Sequence, residues 1–342
     1  MLLENEPRVT PRSLNFSESL EDETSMFLGI EIGGTKLQLG VGLGDGSDFV
    51  AFERLDVDIA RGGQGIREQI RKVGRELVAK YRIERAAYGF GGPIFGSRGI
   101  VQTSHQVPGW DQFPLSQWTE QELGVPTRLG NDCDVAALAE ACFGAGRDSR
   151  SVFYVTVGTG IGGGLVFDRR IHGTDRPASA EIGHLRPGLH ATSYFQTIES
   201  QAAGPGIAIA TRNRLESIQK AGESTRDFHD FRERCGGDFQ KLTTKAIGEA
   251  AMAGNQLAQD QYIIATNVLG WGIAQLITLV APEVVVVGGG VSLVGEEVFF
   301  TPLRSAVQQY VFPPLRDSYR LVPAELGESV VVHGALALAK SA

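Results

Sequence analysis

Cysteine is scarce in this chain: three in 342 residues (Cys133, Cys142, Cys235), with no C-x-x-C pair. They read as small buried hydrophobes in a reducing compartment, not as a disulfide framework. Cys133 and Cys142 fall on one expected helix, too far apart along it to bridge. Positive charge is also short. The net charge is −8, so nothing invites nucleic acid or an anionic membrane surface, and any phosphate site must be built locally from loops and metal. Residues 1–25 lack the basic start and apolar core of a signal peptide; acidic and Ser/Glu-rich, they are expected to form a disordered tail. One apolar run, Ile263–Val280, has the length of a membrane span. Thr266, Asn267, Gln275 and Thr278 interrupt it and Pro282 follows, which predicts a buried helix feeding a central strand in a cytoplasmic protein.

What is present is an ordinary globular balance, 42% hydrophobic and 21% charged, long enough for two domains. The organising stretch is Phe27–Val41. An apolar run meets Gly33-Gly34-Thr35-Lys36, and a second alternating run follows, predicting a hairpin with almost no side-chain bulk at its tip. Backbone N–H groups of such a tip can close on an anion, with Thr35 and Lys36 adding a hydroxyl and a charge. Phe153–Phe167 repeats the pattern around Gly158-Thr159-Gly160. Two like hairpins predict two lobes of similar build sharing a cleft. Neither is a G-x-x-x-x-G-K-[ST] loop and neither opens into a helix, so a Walker site and a Rossmann fingerprint are disfavoured.

Strand and helix patterns alternate along the chain, giving an α/β class. Expected strands cover Phe49–Asp56, Ala86–Phe90, Ile100–Trp110, Pro126–Leu129 and Glu283–Val287. Expected helices cover Gly65–Tyr81, Gln117–Leu123, Val135–Phe143, Thr243–Ala253 and Leu257–Ala281. Another helix begins at Ile198 and is interrupted near Gly204-Pro205. Ser329–Ala342 reads as strand-to-helix. Asn213–Asp238 reads as polar and irregular, with lid, interface and plain loop all open. Asn131 and Asp132 fall where a strand gives way to a helix N-terminus, which favours an ionised carboxylate.

Seven stretches agree in order and spacing: Gly-Ile-Glu-Ile-Gly-Gly-Thr-Lys (29–36), Gly-Gly-Pro-Ile (91–94), Pro-Gly-Trp (108–110), Asn-Asp-Cys-Asp (131–134), Thr-Val-Gly-Thr-Gly-Ile-Gly-Gly-Gly (156–164), Glu-Ile-Gly-His (181–184) and Val-Gly-Gly-Gly-Val-Ser (287–292). On these the chain, from Phe27 to its end, resembles the ROK family of repressors and sugar kinases. The resemblance implies a two-lobed, actin-like and ribonuclease H-like ATPase fold with an interlobe cleft. The small lobe would be residues 26–130, with 330–342 returning to it, and the large lobe 131–329. It implies an ATP-dependent kinase acting on the primary hydroxyl of a free hexose, glucose by default, with Mg²⁺ carried by ATP. Asp132 would be the base, which phosphoryl transfer needs near the nucleophile. Asn131, Glu181, His184 and Glu199 would hold pyranose hydroxyls, with Gly92 and Gln106 beside them. Glu31, Gly33, Gly34, Thr35, Lys36, Gly158, Thr159 and Gly160 would face the phosphates, and Gly288, Gly289 and Gly290 the adenosine side.

Three departures from the family pattern stand out. Glu31 occupies a place where Asp is commoner, one methylene longer. No cysteine lies between Leu185 and Gln201, so the usual structural zinc is not expected, and His184 needs another partner to fix its tautomer. Gln106, beside His105, replaces a common Asn. The family also contains sugar-responsive repressors, but the acidic stretch of residues 1–25 is too short for a helix-turn-helix reader. A catalytically silent sugar-binding module is a further alternative, against which Asp132 argues. Relatives are commonly homodimers; composition does not require one here.

Overall fold

The computed structural model describes residues 25–341 except His105 and Pro177. The tail expected at 1–25 lies outside the described residues apart from Ser25, as does His105. The chain runs β1 (Met26–Ile32), β2 (Lys36–Gly42), β3 (Ala51–Asp56), α1 (Gly62–Lys80), β4 (Ile83–Phe90), short β5 (Ile94–Phe95) and β6 (Ile100–Val101), α2 (Leu115–Leu123) and β7 (Thr127–Asn131). It continues with α3 (Asp132–Cys142), β8 (Ser151–Val157), β9 (Ile161–Phe167), β10 (Arg170–Ile171), α4 (Ile198–Ala202), α5 (Gly204–Lys220), α6 (Arg226–Arg234) and α7 (Thr244–Met252). The last elements are α8 (Gln256–Val280), β11 (Val284–Gly288), α9 (Thr301–Tyr310), β12 (Arg320–Pro323) and α10 (Val330–Lys340).

Both expected hairpins form, and each seeds a five-stranded sheet of the same plan. The first sheet has the order β3-β2-β1-β4-β7 and the second β10-β9-β8-β11-β12. In each, a three-stranded antiparallel meander joins two further strands parallel to its first. Strand register decides where the connecting loops emerge. Ile32 lies opposite Phe90, and Phe90 opposite Asn131. The chain therefore leaves the carboxyl ends of β1, β4 and β7 side by side, delivering Gly33, Gly91 and Asp132 to one edge. The second sheet does the same with Thr156 opposite Gly288, which brings Gly158 together with Gly290. In open α/β sheets that edge is where ligands bind.

The parallel strands are buried on both faces, and Val284 to Val287 are each fully buried, as four consecutive valines require. Helices α3 and α10 pack against each other; α3 also lies on β8 and β9, and α10 on β1, β2 and β4. Their contact depends on Gly334, where an added Cβ would collide with the Val135 carbonyl. Helix α8 is apolar and long enough to cross a membrane by composition, yet half of its most apolar window is buried against the rest of the chain. Its Thr266 and Thr278 hydroxyls donate to the carbonyls of Tyr262 and Ala274 (2.8 and 2.7 Å), which lets polar residues sit in an apolar helix.

Three expectations from the sequence are corrected. Residues 100–110 are extended only at Ile100–Val101; Gly63 N–H instead donates to the Pro108 carbonyl (2.8 Å), binding the Pro-Gly-Trp loop to the start of α1. Residues 213–238 are largely helical, in α5 and α6. Thr225 caps α6, and Phe228 and Phe231, three apart, bury its single apolar stripe. The C-terminal segment is helix alone from Val330: the first sheet already has its strands, so the Val-Val-Val run packs onto its face.

Candidate active site

Asp132 opens α3, and Asn131 is its N-cap, accepting from the N–H groups of Cys133 and Asp134 (2.9 and 3.3 Å). The Asn131 amide donates to the carbonyls of Phe90 and Gly92 (3.5 and 3.1 Å). It thus ties the Gly-Gly-Pro loop to the helix start, and both ends of its side chain have protein partners. Gly92 has φ +153, a conformation L side chains rarely adopt, so the loop can turn tightly beside Asp132. One Asp132 oxygen accepts from Cys133 N–H (2.8 Å). Burial raises the Asp132 carboxyl above the usual range, opposed by that bond.

Asp132 shares a cavity of about 290 Å³ with Glu31, Lys36, Tyr154, Thr156, Gly289, Gly290 and Glu328. The first sheet supplies its acid and amine, the second its floor. Glu31 is 8% exposed. One of its oxygens lies 3.7 Å from Lys36 Nζ, and the other is buried with no partner. Burial pushes its pKa up to about 7, with Lys36 pulling down and Asp132 pushing up. A carboxylate oxygen left dry and unpaired is suited to a cation or its waters.

The first glycine tip closes on itself, Gly33 N–H donating to the Lys36 carbonyl (3.0 Å), while the Thr35 carbonyl accepts from Val57 N–H (3.0 Å). Gln106 lies directly over Gly34, where an added Cβ would overlap its amide. Gly158 and Thr159 of the second tip line another cavity of about 970 Å³ with Gly204, Arg212, Thr244, Gly290 and Glu328, while Gly160 lies against the Glu199 carboxylate. Gly290 and Glu328 belong to both cavities. Gly289, at φ +90, lies so close to β8 that a Cβ would strike the Val157 backbone. Gly288 ends β11.

Glu181 is half-buried; its carboxyl is raised by burial and by Asp132 and Glu199, with His184 opposing. His184 is exposed at the end of a 3₁₀ turn, and among the described residues its ring has no hydrogen-bond partner. Glu199 accepts from Ile161 N–H (2.7 Å), so one of its oxygens braces the second glycine hairpin. The structure therefore brings Glu31, Lys36, Asp132, Gly289 and Gly290 into one cavity. Gly158 and Thr159 line the adjoining one, and Gly33, Gly34 and Gln106 form a separate cluster beside Gly91.

Two residues that carry no motif role in the sequence are also here. Asp134 is buried, with one oxygen unpartnered, beside Gly92, Asn131, Arg176 and Glu181. Its pKa is pushed up to about 7 by burial, then by Asp132 and Glu181. It stood in plain view in Asn-Asp-Cys-Asp, but its surroundings come from residues 173–181. Cys133 also faces the cavity, yet burial and the surrounding carboxylates hold its thiol well above the ordinary range, which removes it as a nucleophile.

The chain is similar to known proteins over nearly its whole length. The glucokinase of Thermotoga maritima is 29% identical over 324 residues, covering 92% of this chain and 96% of that one. A ROK family glucokinase from Streptomyces griseus, solved with glucose and AMPPNP, superposes with a TM-score of 0.77 at 27% identity, covering 92% and 99% of the two chains. A ROK transcriptional regulator, a homolog of the E. coli MLC protein, has the same fold (TM-score 0.78, 21% identity, 92% and 78% covered). The ROK family pattern matches residues 27–342, and the chain, an actin-like ATPase fold with both glycine hairpins in place, belongs to the ROK family.

Proposed function

We propose that this chain is an ATP-dependent hexose kinase that phosphorylates the primary hydroxyl of a free hexose, glucose in the first instance. The observation that supports it most is the shared cavity: Asp132 stands with Lys36, Glu31 and Gly290 in a recess that adjoins the larger one lined by Gly158 and Thr159. The larger recess is the size of a nucleoside site. The terminal phosphate would then reach the smaller one, facing Asp132. Asp132 accepts the proton of the attacking hydroxyl. The new P–O bond forms to the sugar oxygen as the bond to ADP breaks. A carboxyl raised by burial is the better base for that step.

Lys36 and the hairpin N–H groups not bonded within their own tips carry the phosphate charge. Mg²⁺ arriving with ATP would neutralise charge on the phosphates, and Glu31, through its unpaired oxygen, is the residue that would hold it or its waters. Glu181, His184, Glu199 and Gln106 are assigned to the sugar. Asn131 orders the Gly91–Gly92 loop beneath it. The lobes, residues 26–130 with 330–342 and residues 131–329, close over both ligands and exclude water.

A coupled assay of ADP release over a panel of hexoses and N-acetylhexosamines tests this. Asp132→Asn should lower kcat by roughly 10²–10⁴-fold with little change in sugar KM. Turnover undiminished in Asp132→Asn ends the assignment, and sugar binding without turnover in the parent chain would favour a silent module.

A further inference from the structure

We propose that Arg54 is a further polyphosphate-binding residue, held on Glu328 until a nucleotide displaces it. The proposal rests on the kinase reading above and concerns the passage between its two cavities.

Arg54 lies on β3, the edge strand of the first sheet. The register places it opposite Gln38, and Gln38 opposite Glu31. Residues directly opposite in a ladder share one face, so Glu31, Gln38 and Arg54 form a row across three strands on the side that bears the catalytic cavity. The positive charge of Arg54 acts on Glu31, helping to oppose the rise in its pKa. From this row Arg54 Nη1 reaches Glu328 Oε2 at 3.0 Å. Glu328 sits just before α10 and lines both cavities.

A carboxylate there stands on the route that a triphosphate must follow from the larger recess to Asp132. Left bare, it would repel the polyphosphate; paired with Arg54, its charge is cancelled. The pair is largely solvent-exposed, with side chains 55% and 74% accessible, so it is weak and easily exchanged. A phosphate offers more negative charge than a carboxylate and suits the planar guanidinium fork. Arg54 therefore has a parked position and, within side-chain reach, a stronger partner once nucleotide enters. Lys36, two residues along β2 from Gln38, sits 3.7 Å from the buried Glu31, whereas the exposed carboxylate that holds Arg54 releases it readily.

The test is calorimetric titration of the full chain and of Arg54→Gln, Arg54→Lys and Glu328→Gln with ADP, tripolyphosphate and adenosine. Arg54→Gln should weaken ADP and tripolyphosphate about tenfold, the worth of one charge-assisted hydrogen bond, with adenosine unmoved. Arg54→Lys should recover part of the loss, and Glu328→Gln should tighten ADP. In steady state, Arg54→Gln should raise KM for ATP and leave KM for sugar alone. Unchanged ADP affinity in Arg54→Gln overturns the proposal, as does an equal change for adenosine. Weaker ADP binding in Glu328→Gln also overturns it, by making Glu328 itself a nucleotide ligand. If the parent chain binds none of the three ligands, the kinase reading fails first.

Discussion

At the scale of single residues, the site is a crowd of carboxyl groups that have not all lost their protons. Glu31 and Asp134 both titrate near pH about 7 in the folded chain, against ordinary values of 4.5 and 3.8. The folded state therefore holds protons that the unfolded chain releases. This stability is fully present below the unfolded values and is lost as pH rises through about 7. Without ligands, the chain should melt lower at pH 8 than at pH 5. Glu31→Gln removes one of these titrations, so it should gain on the order of 2–4 kcal/mol over the parent at pH 8 and much less at pH 5, read from melting curves. An equal gain at both values would contradict the shift. How much of this was legible in the sequence divides along a physical line. Asp132 and Lys36 carry local signatures, a helix cap and a glycine tip. The buried setting of Asp134 and the bond from Ile161 to Glu199 are made by segments dozens of residues away, and no local pattern encodes them.

At the scale of elements, the close crossing of α3 and α10 joins the two sheets. Gly334→Ala would drive a methyl group into the Val135 carbonyl, so the helices must part. Overpacking of this kind costs typically 1–3 kcal/mol, measurable as a lower denaturation midpoint. An unchanged midpoint would show that the crossing gives way freely. The elements misread from sequence share a cause. Val330–Val332 has strand-forming residues, but packing on the first sheet overrides propensity. Helix α6 was hidden because only Phe228 and Phe231 mark its inner side. The hairpins and α8, by contrast, are strongly patterned and stood out.

At the scale of the whole molecule, each sheet sends its glycine-rich loops to one edge, and the chain passes between the sheets at α3 and α10. The second passage is held by Glu140, which is fully buried and accepts from the N–H groups of Glu325 and Leu326 (both 3.0 Å). Under the proposed function, sugar and nucleotide meet at Asp132 from adjoining recesses, so each should tighten the other by the same factor. Equal nucleotide affinity with and without glucose would contradict that linkage. The bond from Ile161 N–H to Glu199 has a bearing on it. A carboxyl group that steadies the nucleotide's hairpin with one oxygen, and offers the other to a sugar, makes carbohydrate arrival audible to the donor side. Sugar loading first and ATP second would be the natural sequence of events, and Glu199→Gln should blur that order.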